Sequence, residues 1–478
     1  MDISKKEKFH NDVEKLRQFM LSTQWMLLLC CFAAIFVTFK LEIVGTLVFA
    51  VIVGISLVIN DDFMASLMPF LLTYMIAIKN YDSFDIFMQY IWIAIPLSLM
   101  IISHFVLYRK KYKRNMTIKG SQFKPMLLVS FAIVLGGFGF IKKEEFFALT
   151  SVYHMIALGF GMLLLYLLFY ANIDVNPKYS MINMLTRIMV IAGLFASFMI
   201  ISHYLININY VIDRITTHKS IYVQWRNNLS TILMICIPFA FLQANKKSYY
   251  TIVGFIYYAA ILLTGSRGGL LFGGIELAMC IIMFVLYDTR RRLAYIFICA
   301  CLAFAFMIFS RQFFDFFGYT FNRLLTALSD FLAGESQETR AIHCARGIND
   351  FLNHPIFGTG LGYMGNRDVF PSKEFALCWY HCEVIQIPAS FGLFGIIAYV
   401  YQFIKRNILL WKKATLFNMT IFLSYISLEM MSLVNPGILA PIPYLLLITI
   451  FMVIVEKCDK GEYQEKIYIR KKKKESEE

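Results

Sequence analysis

Residues 249–287 read YYTIVGFIYYAAILLTGSRGGLLFGGIELAMCIIMFVLY. Two apolar runs, 249–264 and 268–287, flank the turn Thr264-Gly265-Ser266-Arg267-Gly268-Gly269, and Glu276 is the only charge inside either run. Crossing a ~30 Å hydrocarbon layer as a helix takes about 20 apolar residues, and somewhat fewer where polar ends snorkel. Each run therefore predicts one membrane span, and the polar hexapeptide predicts a tight turn between them.

Similar blocks recur outward in both directions. Upstream they lie near 24–39, 41–59, 63–78, 86–108, 124–141, 146–170, 181–206 and 228–243. Downstream they lie near 292–310 and, after a long polar gap, near 382–404, 415–434 and 439–456. The pattern predicts an all-α polytopic transmembrane bundle of about fourteen helices, or about twelve to thirteen if the crowded first blocks merge. Composition agrees: 59% of residues are hydrophobic, 16% are charged and the mean hydropathy is +0.63. A soluble domain has about 45–50% apolar and about 25% charged residues. These figures exclude a soluble enzyme, a disordered chain, a collagen and a coiled coil.

The net charge of +14 reads as basic cytoplasmic loops rather than nucleic-acid binding. Residues 109–124, RKKYKRNMTIKGSQFK, hold seven basic residues and no acidic one. Counting spans places this loop inside, together with Lys246-Lys247, Arg290-Arg291-Arg292, Lys405-Arg406, Lys412-Lys413 and the tail RKKKK (470–474). The loop 311–381 then falls outside, and both termini are cytoplasmic. The acidic Asn60-Asp61-Asp62 is the loop that fits the rule least well. The expected organisation is a cytoplasmic N-terminus (1–23), spans one to eleven (24–310), an extracytoplasmic catalytic loop with short helices (311–381), spans twelve to fourteen (382–456) and a basic tail (457–478). The polar start predicts an uncleaved anchor rather than a signal peptide. The tail reads as a topogenic end, and the chain shows no internal repeat. Most of the ten cysteines lie in apolar runs, where Cys packs as a small hydrophobe.

Three clusters carry candidate chemistry. In the turn 263–269, one Arg stands between small residues at a helix start. Backbone N–H groups there favour an anion, and Arg267 adds a forked permanent charge that can grip phosphate. An outer loop of roughly 70 residues is long for a bare connection. It holds Thr339-Arg340-Ala341-Ile342-His343-Cys344, with Ala341 to Leu352 patterned as an amphipathic helix stopped by His354-Pro355. Gly358, Gly360 and Gly362 follow as a glycine-spaced turn, without the strand–helix unit of a dinucleotide site. At the start of span twelve, His381-Cys382-Glu383-Val384-Ile385-Gln386 places an imidazole where loop meets bilayer, and a neutral imidazole can accept a proton.

Taken in order, these clusters resemble the O-antigen ligase and O-antigen polymerase family of membrane glycosyltransferases. That family shows a TGSRG-like turn, then a long extracytoplasmic loop with an Arg and a Pro-Leu-Phe-Gly-x-Gly-x-Gly turn, then His-Asn-x-x-Leu-Gln-x5-Gly-x-x-Gly. Thr264 to Gly268 match the first element. Arg340, Pro355, Phe357, Gly358, Gly360 and Gly362 match the second, and His381, Gln386, Gly392 and Gly395 match the third. The resemblance covers residues 220–455. Cys382 stands where Asn is usual, Ile385 where Leu is usual, and Cys344 where an aromatic residue is common.

The resemblance implies a GT-C-like fold in the bacterial cytoplasmic membrane, with the site on the outer side. It implies transfer of a glycan from a polyprenyl diphosphate carrier to an acceptor hydroxyl, with inversion. The acceptor is the next repeat unit for a polymerase, or lipid A-core for a ligase. Arg267 and Arg340 then suit the diphosphate, and His381 the acceptor hydroxyl, with Glu383 in reserve. Ser266, Gly268, Arg226, Gly358, Gly360 and Gln386 are the further substrate-binding candidates. No cofactor is expected and no metal, since two guanidinium groups can take its place. Partners are the lipid-linked glycan, the acceptor glycan or glycolipid, membrane lipids and other polysaccharide-assembly proteins, with no nucleic acid.

Other residues leave alternatives open. Arg226 either meets phosphate or anchors helix eight at the interface. Glu276 and Glu429 are intramembrane acids that act chemically or pair with an Arg. His343, Cys344, Cys378, His381 and Cys382 invite a zinc reading, although their spacing fits no standard site. A lipid-linked oligosaccharide flippase is the rival class; its short outer loops and related halves are not seen here. An abundance of Lys, Ile, Phe and Asn hints at a host without lipopolysaccharide and tilts the reading toward a polymerase.

Overall fold

In a computed structural model, the structure describes residues 3–62, 66, 92, 94–115, 120–137, 155–173, 180–217, 219, 221–223, 225–288, 290–332, 339–361, 380–412, 415–434 and 442–458. Among these the chain is helical and contains no strand. It divides into two compact units, residues 1–120 with 166–199, and residues 121–165 with 200–478.

The first unit holds α1 (Ile3–Met20), α2 (Thr23–Thr38), α3 (Glu42–Ile59), α4 (Ala94–Leu107) and α5 (Arg109–Asn115). It also takes in most of α7 (Gly161–Asn172) and α8 (Met181–Ile206), which follow α6 (Phe123–Gly137) in the chain. The Ser22 hydroxyl caps α2 by accepting from Trp25 N at 3.2 Å. α2 packs on α3, and α3 on α4. The acidic loop after α3 meets the basic helix α5: Lys111 donates to Asp61 O at 2.8 Å and lies 3.6 Å from its carboxylate. Tyr108 donates to Val58 O and Ile59 O. A polar chain runs beside them, from Asn172 to Tyr112 (2.8 Å), to His104 (2.8 Å), to Leu57 O (2.6 Å). The acidic loop and the basic segment therefore share one end of this unit, and the loop that fits the charge rule poorly is neutralised by a neighbour that fits it well.

The second unit holds α6, a π-helical turn (Met155–Phe160), the end of α8 and α9 (Ile208–Thr216). Next come α10 (Arg226–Ala244), α11 (Tyr250–Thr264), α12 (Arg267–Tyr287), α13 (Arg292–Leu332) and α14 (Thr339–Asn353). The chain continues through α15 (Glu383–Lys412), α16 (Leu416–Ser432) and α17 (Ile442–Lys457). α10 is the central element and packs on α11, α12 and α16. Its residues from Ser230 to Leu242 are all buried. α16 runs antiparallel to it, since Ser424 donates to Ile235 O and Ser427 to Met234 O.

Six of the described helices are long and apolar enough to cross a membrane, or seven if α1 and α2, bent by 67°, form one span. Ser98–Leu107, Phe123–Gly136, Leu158–Asn172 and Tyr250–Thr264 are shorter apolar helices. The chain is an all-α polytopic membrane protein. Apart from Ser66, the span expected at 63–78 lies outside the described residues, as do most of 86–93 and all of 146–154. Two elements differ from their expected extents. α13 continues as one 41-residue helix well past the apolar block that ends near 310. Residues 311–332 contain no Pro, and Phe313 packs on Phe306, Phe317 and Phe321 with ring centroids 5.1, 4.9 and 5.9 Å away, which supports the helix beyond the apolar block. α15 is broken at Gly392, whose φ of 64° and ψ of −159° leave the helical region.

Candidate active site

The turn after α11 forms because Gly265 takes the left-handed conformation (φ 71°) at the helix end. A Cβ there would stand 2.2 Å from Ile221 O. Ser266 caps α12 by accepting from Gly269 N at 3.1 Å, and its hydroxyl donates to Asn227 Oδ1 at 2.8 Å. Ser230 and Thr264 hydrogen-bond at 2.8 Å, and Gly269 lies flat against Ser230. The first turns of α10 and α12 are thereby held side by side, and each starts on an arginine, Arg226 and Arg267. Both side chains are half-buried. Arg226 stacks on Tyr222 at 5.4 Å, and Arg214 of α9 stacks on the same ring at 5.4 Å. Two helix N-termini with two guanidinium groups make a strongly anion-favouring corner.

The second and third sequence clusters fold into each other. At the break in α15, four backbone groups lose their helical partners and find them in residues 355–360. Thr359 N donates to Ala389 O at 2.9 Å and Gly360 N to Ser390 O at 2.9 Å. In return Leu393 N donates to Pro355 O at 2.7 Å and Phe394 N to Ile356 O at 3.2 Å. Gly358 and Gly392 both have positive φ, 70° and 64°. A Cβ on either would stand 2.3–2.4 Å from the other segment's backbone. The glycine-spaced turn is thus a plug for a broken helix.

His381 precedes the broken helix. Its φ of 56° is one of two positive values among the described non-glycine residues. Such a backbone is held only where the surroundings fix it. Gln386 does so: its Oε1 accepts from Tyr380 N at 2.9 Å, its own N donates to Cys382 O at 2.8 Å, and its Nε2 donates to Ser390 Oγ at 2.8 Å. α14 clamps the same place. Tyr380 donates its hydroxyl to Asp350 Oδ2 at 2.5 Å. The His343 and His381 rings lie 5.6 Å apart. Burial, and then Arg346, lower the His343 pKa below the free imidazole value. Burial raises the pKa of Asp350, against the opposing pull of the Tyr380 hydrogen bond, His354 and Arg346.

The end of α16 joins the two halves. Met431 and Val434 abut Gly268, while Ser432 hydrogen-bonds Glu383. The starts of α10, α12 and α15 therefore lie at the same end of the unit, with the end of α16 between Gly268 and Glu383. The side chain of Arg340 and residue Gly362 lie outside the described residues, although α14 includes the Arg340 backbone in its first turn.

Several candidates are engaged within the fold. Ser266 is a helix cap, Gly268 makes room for α16, Gly358 and Gly360 plug the helix break, and Gln386 holds the His381 turn. Glu429 pairs with Arg406, whose side chain is only 3% exposed and lies over Tyr425. Arg406 is thus an internal partner and not the loop cation that its position beside Lys405 suggested. Glu276 is buried against Ser427 and Cys280. Cys344 and Cys382 form no disulfide among the described residues, and Cys378 lies outside them. Asn227, Ser230, Tyr222 and Ser432 were not legible as site residues, because single polar residues at span ends carry no sequence signal of their own.

No curated protein matches the chain. Residues 252–400 match the family model described as O-antigen ligase. That stretch contains the Arg267 turn, the α14 clamp, His381 and the plugged break in α15, so the part of this membrane protein that is similar to the O-antigen ligase family is the part that builds the candidate site.

Proposed function

We propose that this protein transfers a glycan from a polyprenyl diphosphate carrier to an acceptor hydroxyl, at the outer face of the bacterial cytoplasmic membrane. The observation that supports this reading is that the Arg226 and Arg267 helix starts lie side by side and that the end of α16 reaches both Gly268 and Glu383, two residues after His381. The diphosphate is the leaving group and carries its own activation. The protein must hold its charge as the anomeric C–O bond breaks, and take a proton from the attacking hydroxyl. Arg226 and Arg267 supply the first need, with Arg340 as a third cation from α14. His381 supplies the second, with Glu383 in reserve. In-line attack with diphosphate departing inverts the anomeric centre. Metal is not required where fixed guanidinium groups neutralise the leaving group.

A general base contributes about 10²–10⁴-fold. In vesicles presenting lipid-linked donor on the accessible face, His381→Gln should lower transfer by that order and remove the acid limb of the wild-type pH profile. Substantial activity with the same acid limb would transfer the role to Glu383. Donor that merely changes leaflet, without glycan growth or transfer, would show a flippase instead. We favour a polymerase, with the next lipid-linked repeat as acceptor. The second reading is a ligase, the activity that the family description names. A ladder of longer glycans from donor alone supports the polymerase; transfer only after a lipid A-core type acceptor is added supports the ligase.

A further inference from the structure

The face of α14 that packs on α15 is built from residues one helical turn apart. Cys344 Sγ lies 3.9 Å from Tyr380 O, and Asp350 accepts from the Tyr380 hydroxyl. Gly347 is pressed so flat that a Cβ would stand 2.4 Å from Ile385 Cγ2 and 2.9 Å from the Tyr380 ring. His343 completes this face, one turn before Gly347. Its side chain is 2% exposed, and its ring stands 5.6 Å from that of His381, tilted by 57°. Its Nδ1 is buried and meets no partner among the described residues. A buried polar nitrogen left this way is uncommon, because its desolvation goes uncompensated. The site thus contains a second imidazole, fixed by packing and with one unsatisfied hydrogen-bonding atom.

We propose that His343 is a positioning residue for His381: the two rings meet directly or through one water, and this contact fixes the orientation and tautomer of His381 while it takes the acceptor proton. The inference rests on the reading of His381 as the base. A neutral imidazole offers one donor and one acceptor, so each ring can fix which nitrogen of the other is bare. The proton moves from the acceptor hydroxyl to His381. His343 stays neutral throughout, consistent with its burial and with the nearby Arg346 charge. Its strict placement follows from the clamp, since Tyr380 fixes both α14 and the strained backbone that presents His381.

The test uses the full chain in vesicles with lipid-linked donor. His343→Phe keeps the bulk and removes the hydrogen bond; kcat should fall about 10–100-fold, the scale of a small misplacement of a reacting group. The donor KM should stay near the wild-type value. His343→Asn, which can still donate and accept, should recover most of the rate. His343→Phe combined with His381→Ala should be no slower than His381→Ala alone, because His343 acts through His381. If His343→Phe does not accumulate, His343→Leu carries the same expectation. Wild-type kcat in His343→Phe, with His381→Ala inactive, overturns the positioning role and leaves the base reading standing. Loss in His343→Phe that Asn does not restore, or that adds fully to the His381→Ala loss, overturns it as well. Near-normal transfer by His381→Ala overturns the base reading, and this proposal with it.

Discussion

Arg267 is the first residue of a capped helix, so its backbone is fixed while its guanidinium remains half-exposed. Removing one preorganised donor of this kind costs about 10²–10³-fold in rate. Arg267→Ala should therefore lose transfer on that scale at normal protein level, and Arg267→Lys should lose less, since Lys keeps the charge but not the fork. Equal rates for Ala and wild type would exclude the diphosphate role. His343 yields a stability prediction. Its pKa in the folded protein lies below the 6.5 of free imidazole, through burial and Arg346, with the His381 ring facing it from α15. The unfolded chain then takes up the proton first as pH falls. The stability it contributes is present above 6.5 and is lost as pH drops below that value toward the lowered folded pKa. Thermal unfolding in detergent from about pH 7.5 to about pH 5 should show Tm declining more in wild type than in His343→Phe. The difference between the two proteins isolates His343 from Asp350, whose raised pKa acts in the opposite direction.

At the scale of elements, the break in α15 is the structural centre of the site. Holding a non-glycine residue at a left-handed φ costs about 1–3 kcal/mol, before any clash with the Ile356 backbone is counted. Gly392→Ala should thus lower Tm and open residues 339–382 to protease, whereas Gly318→Ala, on the intact α13 with nothing within 4 Å of an added Cβ, should not. Cys382 occupies the residue before α15, the N-cap position, where Asn is among the best residues and Cys is not. Cys382→Asn should raise stability by about 1 kcal/mol, measured as Tm; an unchanged Tm would mean that the strained His381 turn prevents capping. Deeper in the same helix, Arg406 is buried against Glu429. Breaking a buried pair by removing one partner costs about 3–5 kcal/mol. Glu429→Gln should destabilise on that order, and Glu429→Gln with Arg406→Met should recover part of it.

For the whole molecule, the decisive pattern is sidedness within the second unit. α10, α12 and α15 all start at the site end, and α16 finishes there. The other ends meet where Asn245 donates to Asp288 and Arg291 donates to Asn245 O and Lys246 O. Lys246, Lys247, Arg290, Arg291, Arg292 and Lys412 therefore lie opposite the site. The positive-inside rule predicts that this basic end is cytoplasmic and the site extracytoplasmic. Cysteine-substituted chains probed in intact cells should label within 362–379 and stay unlabelled at Lys113 or Lys247 until the membrane is permeabilised. Labelling of Lys113→Cys from outside would invert the topology.

The sequence alone determined the fold class and most of the described apolar helices, because a chain in a hydrocarbon layer must satisfy its backbone hydrogen bonds within each span, and apolar length then dictates the element. The expected run 181–206 and the observed α8 coincide, and 249–264 and 268–287 differ from α11 and α12 by one residue each. The same local rules exposed Arg267, because an arginine among small residues at a helix start is visible in one dimension. Tertiary structure alone decided what the glycines do. Gly358 and Gly392 are 34 positions apart, and nothing local shows that one fills a helix break made by the other. It also decided which cations share a corner, joining Arg226 to Arg267 through Asn227 and Ser266. And it placed His343, one residue of an amphipathic helix, against His381, because contacts between distant segments depend on packing and leave no trace in residue spacing.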